Sequence, residues 1–93
     1  MQVIYKYPLD ITGTQEFTLP EDHTILKVAE QNGSLFLWAQ VDTYSENMTG
    51  QIVIVGTGHE LDMYGYHYLD SVLMDSGLVW HVFYSSGMNL NPA

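Results

Sequence analysis

The run Thr24-Ile25-Leu26-Lys27-Val28-Ala29-Glu30-Gln31-Asn32-Gly33-Ser34-Leu35-Phe36-Leu37-Trp38-Ala39-Gln40-Val41 decides the fold. Asn-Gly at its centre suits a two-residue type I′ turn, because both central residues need positive φ. With that turn Gln31 faces Ser34, Glu30 faces Leu35, Ala29 faces Phe36, Val28 faces Leu37, Lys27 faces Trp38 and Leu26 faces Ala39. Side chains alternate between the faces of a strand. One face then holds Leu26, Val28, Leu35, Leu37, Ala39 and Val41, a core face. The other holds Ile25, Lys27, Ala29, Phe36, Trp38 and Gln40, with a cation–π pair expected between Lys27 and Trp38. A hairpin apolar on both sides needs a covering layer on each. A second sheet or another subunit is expected to supply it, which leaves a homo-oligomer open.

Outward from this hairpin the chain reads as short β-rich runs broken by turn signals, with no sustained helical period. Strands are expected at Val3–Tyr7, Gln15–Leu19, Thr24–Gln31, Ser34–Val41, Gln51–Val55, Tyr66–Met74 and Leu78–Tyr84. A second hairpin is expected around Asp75-Ser76-Gly77, a three-residue loop with Gly in the left-handed position. It sets Met74 against Leu78, Leu73 against Val79, Val72 against Trp80, Ser71 against His81, Asp70 against Val82 and Leu69 against Phe83. The fold class is therefore all-β: an antiparallel sandwich or barrel of about six to seven strands. At most one short helical turn is expected, within Glu60–Tyr66. Residues 1–84 read as one domain, and the polar run 85–93 as a flexible tail.

The chain has 93 residues, 46% of them hydrophobic and 14% charged, which suits one globular domain rather than disorder. Two lysines and no arginine stand against 11 acids, a net charge of −9. Direct nucleic-acid binding is disfavoured, because that affinity comes from cations on phosphates. An anionic membrane surface is disfavoured on the same ground. Without cysteine there is no disulfide framework, zinc-thiolate site or thiol nucleophile. The N-terminal residues lack the basic and apolar regions of a signal peptide, and the longest apolar run, Leu35–Ala39, is far short of a membrane span. A soluble cytoplasmic protein is expected.

Several blocks in order resemble a family of small phage-encoded proteins of unknown function. They are Ile4-Tyr5-Lys6-Tyr7-Pro8-Leu9, Leu19-Pro20, Gln31-Asn32-Gly33, Leu37-Trp38-Ala39, Val41-Asp42, Gly56-Thr57-Gly58-His59 and His81-Val82-Phe83. The resemblance implies a phage origin, a β-rich fold and an accessory role inside an infected bacterial host, such as antagonism of a defence system. It implies no catalytic residues.

The residues that carry chemistry are few. Gly56-Thr57-Gly58-His59 follows an apolar strand and offers a ligand loop, but lacks the Lys of a phosphate-binding loop. The plainer reading is a tight turn. His59, Glu60, Asp62 and His67 lie close in sequence but match no metal-binding spacing, and no metal or other cofactor is expected. His81 opposite Ser71 has the residue types of a nucleophile and its base, but reads more simply as an inter-strand hydrogen bond. Acid dense along one edge would mark a DNA mimic; here no more than two acids are adjacent.

The expected activity is thus non-enzymatic: binding of a host or phage protein. Trp38, Phe36, Glu60, Asp62, Tyr64, Tyr66 and Tyr68 are the expected contact residues, aromatic anchors rimmed by acid. The alternatives are a small-ligand module (a nucleotide sponge or a glycan binder) sited at Gly56, Thr57, Gly58 and His59, or a structural virion component.

Overall fold

The structure is a computed structural model that describes residues 1–11, 13–62 and 64–93. Its seven strands are β1 (Gln2–Leu9), β2 (Gly13–Pro20), β3 (His23–Gln31), β4 (Ser34–Asp42), β5 (Asn47–Gly56), β6 (Tyr66–Leu73) and β7 (Val79–Ser85). They form two antiparallel sheets, one ordered β1-β4-β3 and the other β2-β5-β7-β6. The fold is all-β, and its two open sheets do not close into a barrel. The helical turn expected within Glu60–Tyr66 spans residue 63, outside the described residues; among those described no helix occurs. Pro8 lies within β1, where an edge position spares the ladder the missing N–H.

The first hairpin forms as its turn dictates. Asn32 and Gly33 have φ of 54° and 83°. The expected pairing holds from Gln31↔Ser34 out to Lys27↔Trp38. There a β-bulge intervenes, and Ile25 rather than Leu26 pairs with Ala39. An extra residue on one strand inverts the alternation beyond it. The expected faces are corrected accordingly: Ile25 is in the core at 4% exposure, and Leu26 is turned out at 42%.

The second hairpin behaves in the same way. Gly77 has φ of 92°, its N–H donates to the Met74 carbonyl, and Met74 N–H donates to the Leu78 carbonyl. The expected pairs hold from Leu73↔Val79 to Asp70↔Val82. A bulge at Leu69 then pairs Phe83 with Tyr68 instead. Leu69, freed from the ladder, packs against the core.

The core lies between the sheets. Val28, Leu35, Leu37, Ala39 and Val41 face Phe17, Leu19, Ile52, Ile54, Val72 and Val82. Burying each of the larger ones stabilises the fold by about 1.5–3 kcal/mol.

Of the run 85–93, read from the sequence as a flexible tail, Ser85 ends β7 and residues 86–93 pack against the sandwich. Met88 and Leu90 are buried in the core cluster. Gly50 makes room for Met88: a Cβ added there would lie 2.5 Å from the Met88 Cβ. Beyond them the chain runs parallel to β3, with Ile25 N–H donating to the Asn91 carbonyl at 2.7 Å and Ala93 N–H to the Ile25 carbonyl at 2.9 Å. The segment thereby covers part of the free edge of β3. Two apolar residues spaced at strand period within a polar run are a weak sequence signal, and their burial depends on a groove that only the assembled sheets create.

Candidate functional site

Two outward faces and one connection carry the residues of interest. On β4 the buried parity is Leu35, Leu37, Ala39 and Val41, so Phe36, Trp38 and Gln40 point away from the core. Pairing places Lys6 of β1 and Lys27 of β3 on either side of Trp38. Pro8 and Ala29 flank Phe36 in the same way. The Phe36 and Trp38 rings lie 5.9 Å apart at 56°. Lys6 Nζ sits 4.5 Å from the Phe36 centroid and donates to Gln31 Oε1 at 2.9 Å. The cation–π contact of this face is therefore made by Lys6 on Phe36, not by the expected Lys27–Trp38 pair. Beside it opens a shallow hollow of about 400 Å³, lined by Ile4, Leu26, Lys27, Ala29, Glu30, Gln31 and Trp38. The second sheet packs on the opposite side, so the cover expected for this face is not supplied by it. Ile4 is 61% exposed, and Trp38 and Phe36 are half-buried among their neighbours.

On the outward face of the four-stranded sheet a row of hydroxyls runs through one imidazole. Ser71 and His81 face each other as expected, with Ser71 Oγ 2.7 Å from His81 Nδ1. Thr57 Oγ1 lies 2.7 Å from His81 Nε2, and Tyr68 OH lies 2.8 Å from Ser71 Oγ. A nucleophile's base is oriented by a third group, commonly a carboxylate; here both ring nitrogens meet hydroxyls. The row does what an inter-strand hydrogen bond does, pinning β6, β7 and the loop after β5 together.

That loop is a tight turn. Gly58 has φ of 87°, His59 N–H donates to the Gly56 carbonyl and Thr57 N–H to the Val79 carbonyl. Two of its amides are thus engaged within the protein rather than turned toward an anion. The absence of a side chain at Gly56 lets the His59 ring fold back, 6.4 Å from the Trp80 ring. Together with Thr57, Leu78 and Val79 these rings border an open hollow of about 340 Å³.

The expected contact residues are not brought together. Trp38 and Phe36 lie on the outer face of one sheet, while Tyr66 and Tyr68 lie on the outer face of the other. Glu60, Asp62 and Tyr64 sit in the connection between β5 and β6, where Asp62 Oδ1 accepts the Tyr64 N–H at 3.0 Å. Tyr64 is 92% exposed. The four residues His59, Glu60, Asp62 and His67 do not converge either; among the described residues no three His, Asp or Glu side chains share a metal-sized site. His67 stacks on Tyr84 instead, at 5.4 Å. The residues missed from the sequence are Ile4, Lys6 and Leu26. The place of Ile4 and Lys6 beside Trp38 depends on β1 pairing with β4, and Leu26, expected in the core, is turned out by the bulge.

Two titrating groups are displaced. Burial pushes the Tyr7 hydroxyl above its ordinary value, with Tyr5 adding to the effect. The Tyr44 N–H donated to Asp42 holds that carboxylate below the usual range, and the N-terminal ammonium 3.2 Å away lowers it further.

A domain family described as a domain of unknown function, DUF7352, matches residues 1–91. The chain belongs to this family. No curated protein and no solved structure matches it. Among the described residues no helix is long and apolar enough to cross a membrane.

Proposed function

We propose that this chain is a non-enzymatic binding protein that engages a macromolecular partner through the outer face of its three-stranded sheet. One observation supports this most: Ile4, Leu26 and Trp38 form an apolar patch around a hollow, on the side of the sheet away from the core. Such a patch on a small domain is the usual mark of an interaction surface. Trp and its aromatic neighbour supply the large, rigid contact area on which binding energy concentrates. A phage origin, and a role as an accessory factor directed at a host defence, form part of the proposal and rest on the sequence resemblance.

The test is affinity capture with photo-crosslinkers placed at Ile4, Leu26 and, as a control on the far side, Thr14. A partner crosslinked from Ile4 and Leu26, and lost on Trp38→Ser, supports the reading. A partner crosslinked only from Thr14 would move the binding site to the other sheet.

A second reading has its own observation. The His59–Trp80 hollow is walled by an imidazole and an indole and bordered by the Thr57 hydroxyl. It would suit a small neutral ligand such as a sugar, which stacks on aromatic rings. A thermal-shift screen against sugars and nucleotides separates this reading from the first.

A further inference from the structure

The charge at the middle of this face, around Trp38, has the opposite sign to the charge on the protein. The chain carries two lysines and 11 acids. Both lysines stand beside Trp38, one on each neighbouring strand. Of the acids, Asp22 and Asp42 share this outward parity, side by side at the far end of the face, and nine lie elsewhere (11 less 2). Asp42 sits at the far end of β4, already engaged by the Tyr44 N–H and the N-terminal ammonium. Glu30 touches the rim of the hollow, but it pairs with Leu35 on the inward parity, and its carboxylate accepts the Asp75 N–H at 2.9 Å. The middle of the face is left with two ammonium groups and an indole between them.

We infer that the occupant of this face is an acidic peptide segment, one large apolar side chain seated against Trp38 and a carboxylate on either side of it. The inference rests on the docking reading given above and names the chemistry of its partner. Geometry sets the pattern. Lys6 and Lys27 stand two strand spacings apart, roughly 10 Å between backbones. In an extended segment the side chains of one face recur about every 6.7 Å. Acid, apolar and acid at alternate positions therefore span about 13 Å, which two flexible lysine stems reach from both sides. Lys6 is already oriented by Gln31 and Phe36, which reduces what its immobilisation costs.

Other occupants fit less well. A second copy laid face to face about a two-fold axis at Trp38 would set lysines against lysines. Nucleic acid would find two cations where its affinity grows with the number of phosphates neutralised, against 11 acids on the chain, two of them at the end of this same face. The net charge does not forbid an acidic peptide. Exposed charges more than about 8 Å away are screened at physiological salt, while the lysines act at contact.

The experiment is selection from a random peptide-display library, with the native chain and with the Lys6→Glu/Lys27→Glu double variant. Both side chains are exposed at their tips, and a Lys6→Gln/Lys27→Gln variant guards against loss of fold. The native chain should enrich peptides with carboxylates flanking a large apolar residue. A synthesised member should bind at least about tenfold more weakly to the Glu variant, with an intermediate loss for the Gln variant, and more weakly as salt rises. Enrichment of neutral or basic peptides, equally bound by the charge variants but lost on Trp38→Ala, would overturn the acidic occupant and leave the docking face standing. Enrichment insensitive to Trp38→Ala, or no enrichment, would overturn both.

Discussion

His23 Nε2 accepts the backbone N–H of Asn91 at 3.2 Å, 68 residues along the chain. The other ring nitrogen lies 2.8 Å from the Pro20 carbonyl. A carbonyl only accepts and an amide only donates, so Nδ1 carries the proton and Nε2 is bare. One neutral, buried imidazole thereby joins the β2–β3 corner to the returning C-terminal segment.

Replacing His23 with Phe should fill the space and leave both backbone groups unpaired. Each unsatisfied buried group costs about 1–3 kcal/mol. Denaturant unfolding should show a loss in that range. Hydrogen exchange should quicken first at Asn91 and Ala93, whose N–H groups tie the segment to His23 and Ile25. A loss of global stability with unchanged protection at those amides would mean that the segment does not depend on His23.

Gly50→Ala should destabilise, because its Cβ would meet the Met88 Cβ at 2.5 Å and the Ser85 Oγ at 3.0 Å. Overpacking of this kind costs about 1–3 kcal/mol. Met88→Ala should not rescue it, since the clash is with the Cβ that alanine retains. Gly87→Ala, where the added Cβ meets nothing within 4 Å, should stay within about 0.5 kcal/mol of the native chain. Thermal melts of the three variants decide the matter.

Asn32→Val should weaken the first hairpin. Asn32 has φ of 54°, a conformation that a β-branched residue resists. A cost of about 1–2 kcal/mol is expected, read by chemical denaturation. Asn32→Gly should be tolerated to within a few tenths of that, because the turn then keeps two residues free to adopt positive φ.

Tyr7 and Asp42 predict the two limbs of the pH profile. The folded Tyr7 pKa is raised, so its contribution is complete below the ordinary tyrosine value of about 10 and is lost as pH rises through the folded value. Tyr7→Phe keeps the ring on Phe17, 5.3 Å away, and should flatten the alkaline limb. The folded Asp42 pKa is lowered, so its contribution is present above about 3.9 and is lost as pH falls through the folded value. Asp42→Asn should flatten the acid limb. Unfolding midpoints measured across pH for both variants check the two signs, and a parallel profile in either variant would refute its assignment.

Period-two alternation, an Asn-Gly turn and a glycine three residues into a loop are local features, and they determined seven strands and the pairing nearest each turn. Trp38 and Phe36 were placed on an outward face by parity alone. What the tertiary structure decided is whatever depends on contacts distant in sequence. The bulges at Leu26 and Leu69 lie where β3 and β6, the edges of the two sheets, approach each other, and each inverts the side chains beyond it. Met88 and Leu90 became core because the sheets leave a groove beside Gly50 and β3. Lys6 came to Trp38 because β1 pairs with β4, a choice that no turn between them could signal. The contact surface expected as one patch is divided because β4 and β6 belong to different sheets, and the outer faces of a two-layer fold point in opposite directions.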